Sequence, residues 1–161
     1  LGHIPWINKD DMRFFQQKTL NSVCIMGANT YKSILNYNKI NDKELLKNRT
    51  SIIISKSLKP LADDLGLHKS FIKTHIVDSL EEAYCTAELT ALRNNYSSIF
   101  FIGGTKIYQA SLKYINKLYF NMILEEYDCD TFFPKEILEE FHHDKSVQLS
   151  SKLVAHEYIR A

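Results

Sequence analysis

An acidic residue beside two phenylalanines is the first feature of this sequence that could do chemistry. In the stretch NKDDMRFFQQK, a helix from about Lys9 to Lys18 capped by Asn8 puts Asp11 on one stripe with Phe14, Phe15 and Lys18. A carboxylate next to phenyl rings is partly desolvated, which raises its pKa toward the range of a useful general acid. The same residue is at N3 of the helix, where a carboxylate stabilises the first turn. By spacing alone, that capping role carries more weight.

A second kind of chemistry is suggested by two glycine turns. Gly27 closes one apolar run and Gly103-Gly104 closes another, and each opens a helix with Thr30 or Thr105 in its first turn. Helix N-termini present free N–H groups and a positive dipole end, so they can hold phosphate without a basic side chain. Neither turn matches G-x-G-x-x-G or a Walker loop, and such turns are common where a chain bends tightly. Together they suit a pyrophosphate-bearing ligand without establishing one. Arg49, ahead of the TSIIIS run, has a planar fork able to clamp a carboxylate, although a solvated loop arginine is the plainer reading. Lys56 follows Ser55 at the end of that run and could neutralise a phosphate. Trp6 could equally be core, and Tyr108 could reach a ligand or simply pack.

The elements that must position these residues follow from apolar patterning. Ser22–Met26, Thr50–Ser55, Phe71–Val77, Ser97–Ile102 and Lys117–Leu124 read as strands, with Val147–Ser150 and Leu153–Ile159 as a closing antiparallel pair. Helices are expected at Asn29–Leu35, from Ser79 to Asn94 behind a Ser79/Glu82 capping box, and after Gly104 through Leu112. The polar stretch Asn36–Asn48 reads as a long exposed connection. Alternating strands and helices predict an α/β fold whose mainly parallel central sheet has helices on both faces and an antiparallel C-terminal edge. Ligands of such sheets sit beyond the carboxyl ends of the strands, here the loops after Met26, Ser55 and Ile102.

The 161 residues fit one domain, with 45% hydrophobic and 24% charged residues. A net charge of +1 without a basic run gives no reason to expect nucleic acid or an anionic membrane as partner. Cys24, Cys85 and Cys129 are scattered and odd in number, which predicts reduced thiols and a cytoplasmic protein. No metal is expected, because the adjacent His142 and His143 point in different directions and no third ligand lies nearby in sequence. No signal peptide or membrane-spanning run is apparent.

Five ordered motifs resemble those of the dihydrofolate reductase family. HIPWINKDDMRFF (His3 to Phe15) is similar to its Pro-Trp loop and acid-bearing helix, with the acid five positions after Trp6. VCIMGANTYKSI (Val23 to Ile34) looks like its apolar-Met-Gly-x-x-Thr-x-x-Ser-Ile segment. LKNRTSIIISK (Leu46 to Lys56) resembles its Leu-Pro-Gly-Arg run. FFIGGTKIY (Phe100 to Tyr108) matches its Ile-Gly-Gly-x-x-x-Tyr turn, and DTFFP (Asp130 to Pro134) its Asp-Thr-x-Phe-Pro.

The resemblance implies an NADPH-dependent reduction of 7,8-dihydrofolate to tetrahydrofolate, supporting one-carbon metabolism, by a single domain over residues 1–161. It raises Asp11 from a cap to an active-site acid, with Trp6 holding an ordered water and Asn121 where a threonine normally contacts the acid. It implies Ile4, Met12, Phe15, Ile34, Arg49 and Tyr108 for the substrate. For the cofactor it implies Gly27, Thr30, Ser55, Lys56, Ile102, Gly103, Gly104, Thr105 and Tyr108. Ala28 replaces a residue often basic in the family, which leaves Lys56 to serve a 2′-phosphate. Lys47 and Asn48 replace the Pro-Gly before the arginine. The family's first strand has no counterpart ahead of the Pro-Trp motif, and a truncated sequence is the expected reason. A monomer is expected, alone or within a bifunctional chain with thymidylate synthase. A riboflavin-pathway reductase and a degenerate binding or assembly domain are the alternatives.

Overall fold

Strand β1 (Val23–Gly27) is the apolar run VCIMG, and its first four residues are fully buried because both its edges and both its faces are covered. It pairs in parallel with β2 (Thr50–Ile54) on one side and β4 (Ile99–Phe101) on the other, and β3 (Thr74–Val77) extends the sheet beyond β2. The computed structural model describes residues 9–41, 48–57, 74–123, 139–150 and 153–160.

Parallel pairing demands crossover helices, and these cover both faces of the sheet. On one face Cys24, Met26, Ile34, Ile53 and Ile76 form a core closed by Met12 and Phe15 of α1 (Lys9–Lys18) and by Tyr31 and Tyr37 of α2 (Ala28–Asn41). On the other, Val23, Ile25, Ile52 and Val77 pack on Ala83 and Ala87 of α3 (Leu80–Asn94). The Ser79 hydroxyl accepts from the Glu82 N–H at 3.1 Å, as the capping box predicts. Glu82 in turn accepts from the N–H of Asp78 at 3.4 Å. A short helix, α4 (Thr105–Ser111), follows Gly104.

Two expected element bounds, those of α2 and β6, need adjusting. α2 runs to Asn41, because no glycine or proline stops it after Leu35 and Tyr37 still has core to cover. Among the described residues the expected antiparallel C-terminal part forms a three-stranded sheet of order β5-β7-β6, built from β5 (Lys117–Ile123), β6 (Phe141–Ser150) and β7 (Leu153–Arg160). β6 starts six residues before the expected Val147: Phe141 is buried at its start, and the polar, exposed run HHDKS after it is held by backbone pairing to β7. Among the described residues, β4 and β5 each have one unpaired flank, and Phe100 and Tyr119 meet across the two sheets with ring centroids 6.4 Å apart. Phe71–Lys73 and the DTFFP motif lie outside the described residues.

Glu157 of β7 is only 6% exposed, with Lys117 at 3.0 Å and Lys145 at 3.5 Å. Burial works against its charge, but the hydrogen bond and charge of Lys117, with those of Lys145, outweigh it and hold the carboxyl below its ordinary value. Such a group adds stability above the unfolded-state pKa, and that stability is lost as pH falls through the folded-state value. Glu157→Gln is therefore expected to lower the urea midpoint at neutral pH and to flatten the acid limb of the stability profile. A variant whose midpoint follows the parent from neutrality to about pH 3 would contradict this assignment.

Candidate active site

The two glycine turns predicted from sequence meet at the carboxyl ends of β1 and β4. The Gly27 N–H donates to the Gly103 carbonyl at 2.8 Å, one residue beyond the bond from the Ile102 N–H to the Ile25 carbonyl at 2.9 Å. Gly103 has φ of +113°, a conformation that glycine adopts without the Cβ penalty, and a cis peptide joins it to Gly104. A Cβ at Gly103 would lie 3.2 Å from the Tyr108 ring, so that ring packs flush on the Gly103 backbone while Tyr108 stays 42% exposed. A Cβ at Gly104 would meet the Thr30 hydroxyl at 3.8 Å, and one at Gly27 would meet Ile107 at 3.7 Å.

Gly27, Thr30, Gly103, Gly104 and Tyr108 thus form one small surface, at the head of both α2 and α4. Thr105 opens α4 beside them, and Ile102 packs on the core beneath. Ser55 is buried just past β2, its N–H bonded to the Val77 carbonyl at 2.8 Å, and Lys56 next to it is exposed. Ala28 packs on the core, so the position often basic in the family faces inward here.

Helix α1 packs on the same core cluster as α2. Asn21, at φ of 53°, lies in the turn that reverses the chain into β1. The end of α1 sits beside the amino end of β2, where Gln16 and Thr19 meet Arg49. Phe14 meets Tyr119 of β5 edge-on at 5.9 Å, and Lys18 lies over both rings. One turn after Asp11, Phe15 packs with Met12 and buried Ile34 on the core cluster that also takes Ile102. The side chains of Asp11 and Asn121 and the whole of Ile4, Trp6 and Asn8 lie outside the described residues, although the Asn121 backbone pairs with Ala155 in β5–β7.

Arg49 is not the solvated loop residue that its sequence context suggests. It is 5% exposed, its Nε donates to the Thr19 hydroxyl at 2.7 Å, and an Nη donates to the Gln16 carbonyl at the end of α1. Burial lowers its pKa from the ordinary value, and Cys24 acts in the other direction. Thr19 completes the arrangement by donating to the Phe15 carbonyl at 2.7 Å. Sequence reading missed Thr19, Gln16 and Ile107. The contact between Arg49 and Thr19 spans thirty positions, so no local pattern marks it.

Cys24 is no nucleophile: burial pushes its thiol up to about 11, where it stays protonated at neutral pH. Cys85 is exposed, and Cys129 lies outside the described residues. Among the described residues, no helix is long and apolar enough to cross a membrane.

Comparison with known proteins shows the family. A family model described as dihydrofolate reductase matches residues 2–158. The chain is 32% identical over 149 residues to the viral dihydrofolate reductase of Saimiriine herpesvirus 2, a match covering 87% of this chain and 64% of that protein. It is 30% identical over 150 residues to the dihydrofolate reductase of Gallus gallus, covering 87% of this chain and 72% of that protein. A solved dihydrofolate reductase from Enterococcus faecalis, complexed with NADP(H) and RAB-propyl, shares the fold. It has a TM-score of 0.66 at 22% identity over 98% of this chain and 84% of that one.

Proposed function

From the premise that this chain belongs to the dihydrofolate reductase family, we propose that it reduces 7,8-dihydrofolate to 5,6,7,8-tetrahydrofolate using NADPH. The observation that carries this reading is the junction of the two glycine turns, where Gly27, Gly104 and the Thr30 hydroxyl make a side-chain-poor surface at strand carboxyl ends. Glycine at 27, 103 and 104 lets the two turns meet backbone to backbone beside the Thr30 hydroxyl and the head of α2, and these groups fit the pyrophosphate of a nicotinamide dinucleotide. Bound NADPH supplies the hydride for C6 of the pterin, and the protein supplies orientation and electrostatics.

The chain's own residues then divide the work. Asp11 hydrogen-bonds the amino group and ring nitrogen of the pterin and, through a water held by Trp6, favours protonation at N5. Asn121 stands beside that acid. Ile4, Met12, Phe15 and Ile34 line the pterin and aminobenzoyl pocket. Arg49 meets the glutamate carboxylate with a guanidinium whose plane Thr19 and Gln16 hold before substrate arrives. Gly103, Gly104 and Tyr108 lie beside the nicotinamide, with Ile102 and Thr105 flanking them. Thr30 and the N–H groups of the first turn of α2 take phosphate oxygens, and Ser55 and Lys56 serve the 2′-phosphate end. The domain works in the cytoplasm as a monomer, alone or within a bifunctional chain with thymidylate synthase.

The test is direct. Tag-free protein with NADPH should lose the cofactor's near-ultraviolet absorbance only when dihydrofolate is added. Absorbance loss that is independent of dihydrofolate, or no loss at all, would overturn the reading.

A further inference from the structure

The smaller sheet brings together two imidazoles that lie thirteen positions apart in sequence. His143 Nε2 of β6 and His156 Nδ1 of β7 are 3.1 Å apart, with ring planes at 62°. The pair is diagonal in the register, since His143 faces Tyr158 and Ser146 faces His156. His143 is exposed, and the Tyr158 ring meets it edge-on at 5.3 Å, which holds the imidazole plane. We propose that His143 and His156 form a two-imidazole chelate for a divalent transition ion, Cu2+, Ni2+ or Zn2+.

The spacing is that of a chelate bite. With metal–nitrogen bonds of about 2.0–2.1 Å, two nitrogens at an angle of about 90–110° lie about 2.9–3.4 Å apart. The observed 3.1 Å falls inside that range. In the metal-free protein one ring N–H donates to the other ring's lone pair; ion binding requires the donating ring to change tautomer, its proton passing through solvent to its other ring nitrogen, so that both facing nitrogens offer lone pairs to the ion. Imidazole is a ligand shared by all three metals, and the usual order of affinities puts Cu2+ first. No group of three or more His, Cys, Asp or Glu side chains converges among the described residues, so water completes the shell.

The sheet also clears positive charge from this face. The register slips between His143 and Lys145, leaving Asp144 as an extra residue. Without the slip, Lys145 would stand opposite His156. With it, Lys145 stands opposite Glu157, on the other face, and pairs with that carboxylate at 3.5 Å. Arg160, on the histidine face, is paired with Glu140 at 2.9 Å. By strand alternation α1 and Tyr119 lie on the Glu157 face, so the histidine pair is on the side of the sheet away from Asp11.

The experiment uses tag-free full chain in a non-coordinating buffer, titrated with Cu2+ by electron paramagnetic resonance and with Ni2+ by calorimetry. One equivalent should bind, and the Cu2+ spectrum should carry coupling to two nitrogens. His143→Ala and His156→Ala should each weaken binding about tenfold or more, because the second ligand of a chelate binds intramolecularly. His142→Ala, one residue away on the opposite face, should leave binding as it was. Ring-proton NMR needs no variant: Zn2+ should shift the His143 and His156 resonances and no other histidine. Equal binding by parent and the double variant, an equal loss in His142→Ala, or Zn2+ shifts confined to other histidines would overturn the proposal.

Discussion

Asp11→Asn is expected to slow dihydrofolate-dependent NADPH oxidation by about a hundredfold or more near neutral pH, the range seen when a positioned proton donor is removed. Asparagine keeps the size and much of the hydrogen bonding of aspartate but cannot carry the proton. The solution must then supply it, which is easier in acid, so the deficit should narrow as pH falls. Stability should move little, because the residue is in the first turn of α1, where a carboxylate contributes about 0.3–1 kcal/mol through the helix dipole. Pre-steady-state hydride transfer and urea unfolding, measured on the same preparation, separate the two effects. A variant that keeps the parent rate at neutral pH would remove Asp11 from the mechanism and return it to a capping role.

Gly103→Ala should injure cofactor binding and stability together. The φ of +113° is hostile to any L side chain, and the new methyl would stand 3.2 Å from the Tyr108 ring. Backbone strain of this kind costs about 1–3 kcal/mol. If the turn shifts to relieve it, the carbonyl that accepts from Gly27 moves, and with it the surface beside Thr30. A displacement worth about 1.4 kcal/mol of binding appears as a tenfold loss of NADPH affinity. Adding Tyr108→Ala discriminates the two causes: relief of the ring contact would restore part of the stability, whereas strain from φ would persist in the double variant. Unchanged NADPH affinity in Gly103→Ala would place the cofactor elsewhere.

Much of this arrangement is legible in the sequence, for local reasons. Apolar runs such as VCIMG and TSIII have no exposed face to serve, so they announce buried parallel strands. Ser79 and Glu82 announce a helix start because capping needs only neighbours. The glycine turns are legible for the same reason, although that Gly27 and Gly103 touch depends on β1 and β4 pairing. What escapes is whatever depends on distant residues or on polar strands. Arg49 looks solvated because the hydroxyl that holds it is thirty positions away. β6 looks irregular because FHHDKS has no apolar alternation. His143 looks like half of an uninformative pair because its partner is His156 and not His142.

The bond between Gly27 and Gly103 has a consequence for how the cradle can respond. Two glycine turns on separate strands would ordinarily adjust independently, giving a ligand two loops to reshape. Here the amide of one is tied to the carbonyl of the other, so a pull on either turn is transmitted to both. The cradle has in effect one degree of freedom where its sequence suggests two, and the Gly27 N–H, already committed, leaves phosphate to the amides that follow it in α2.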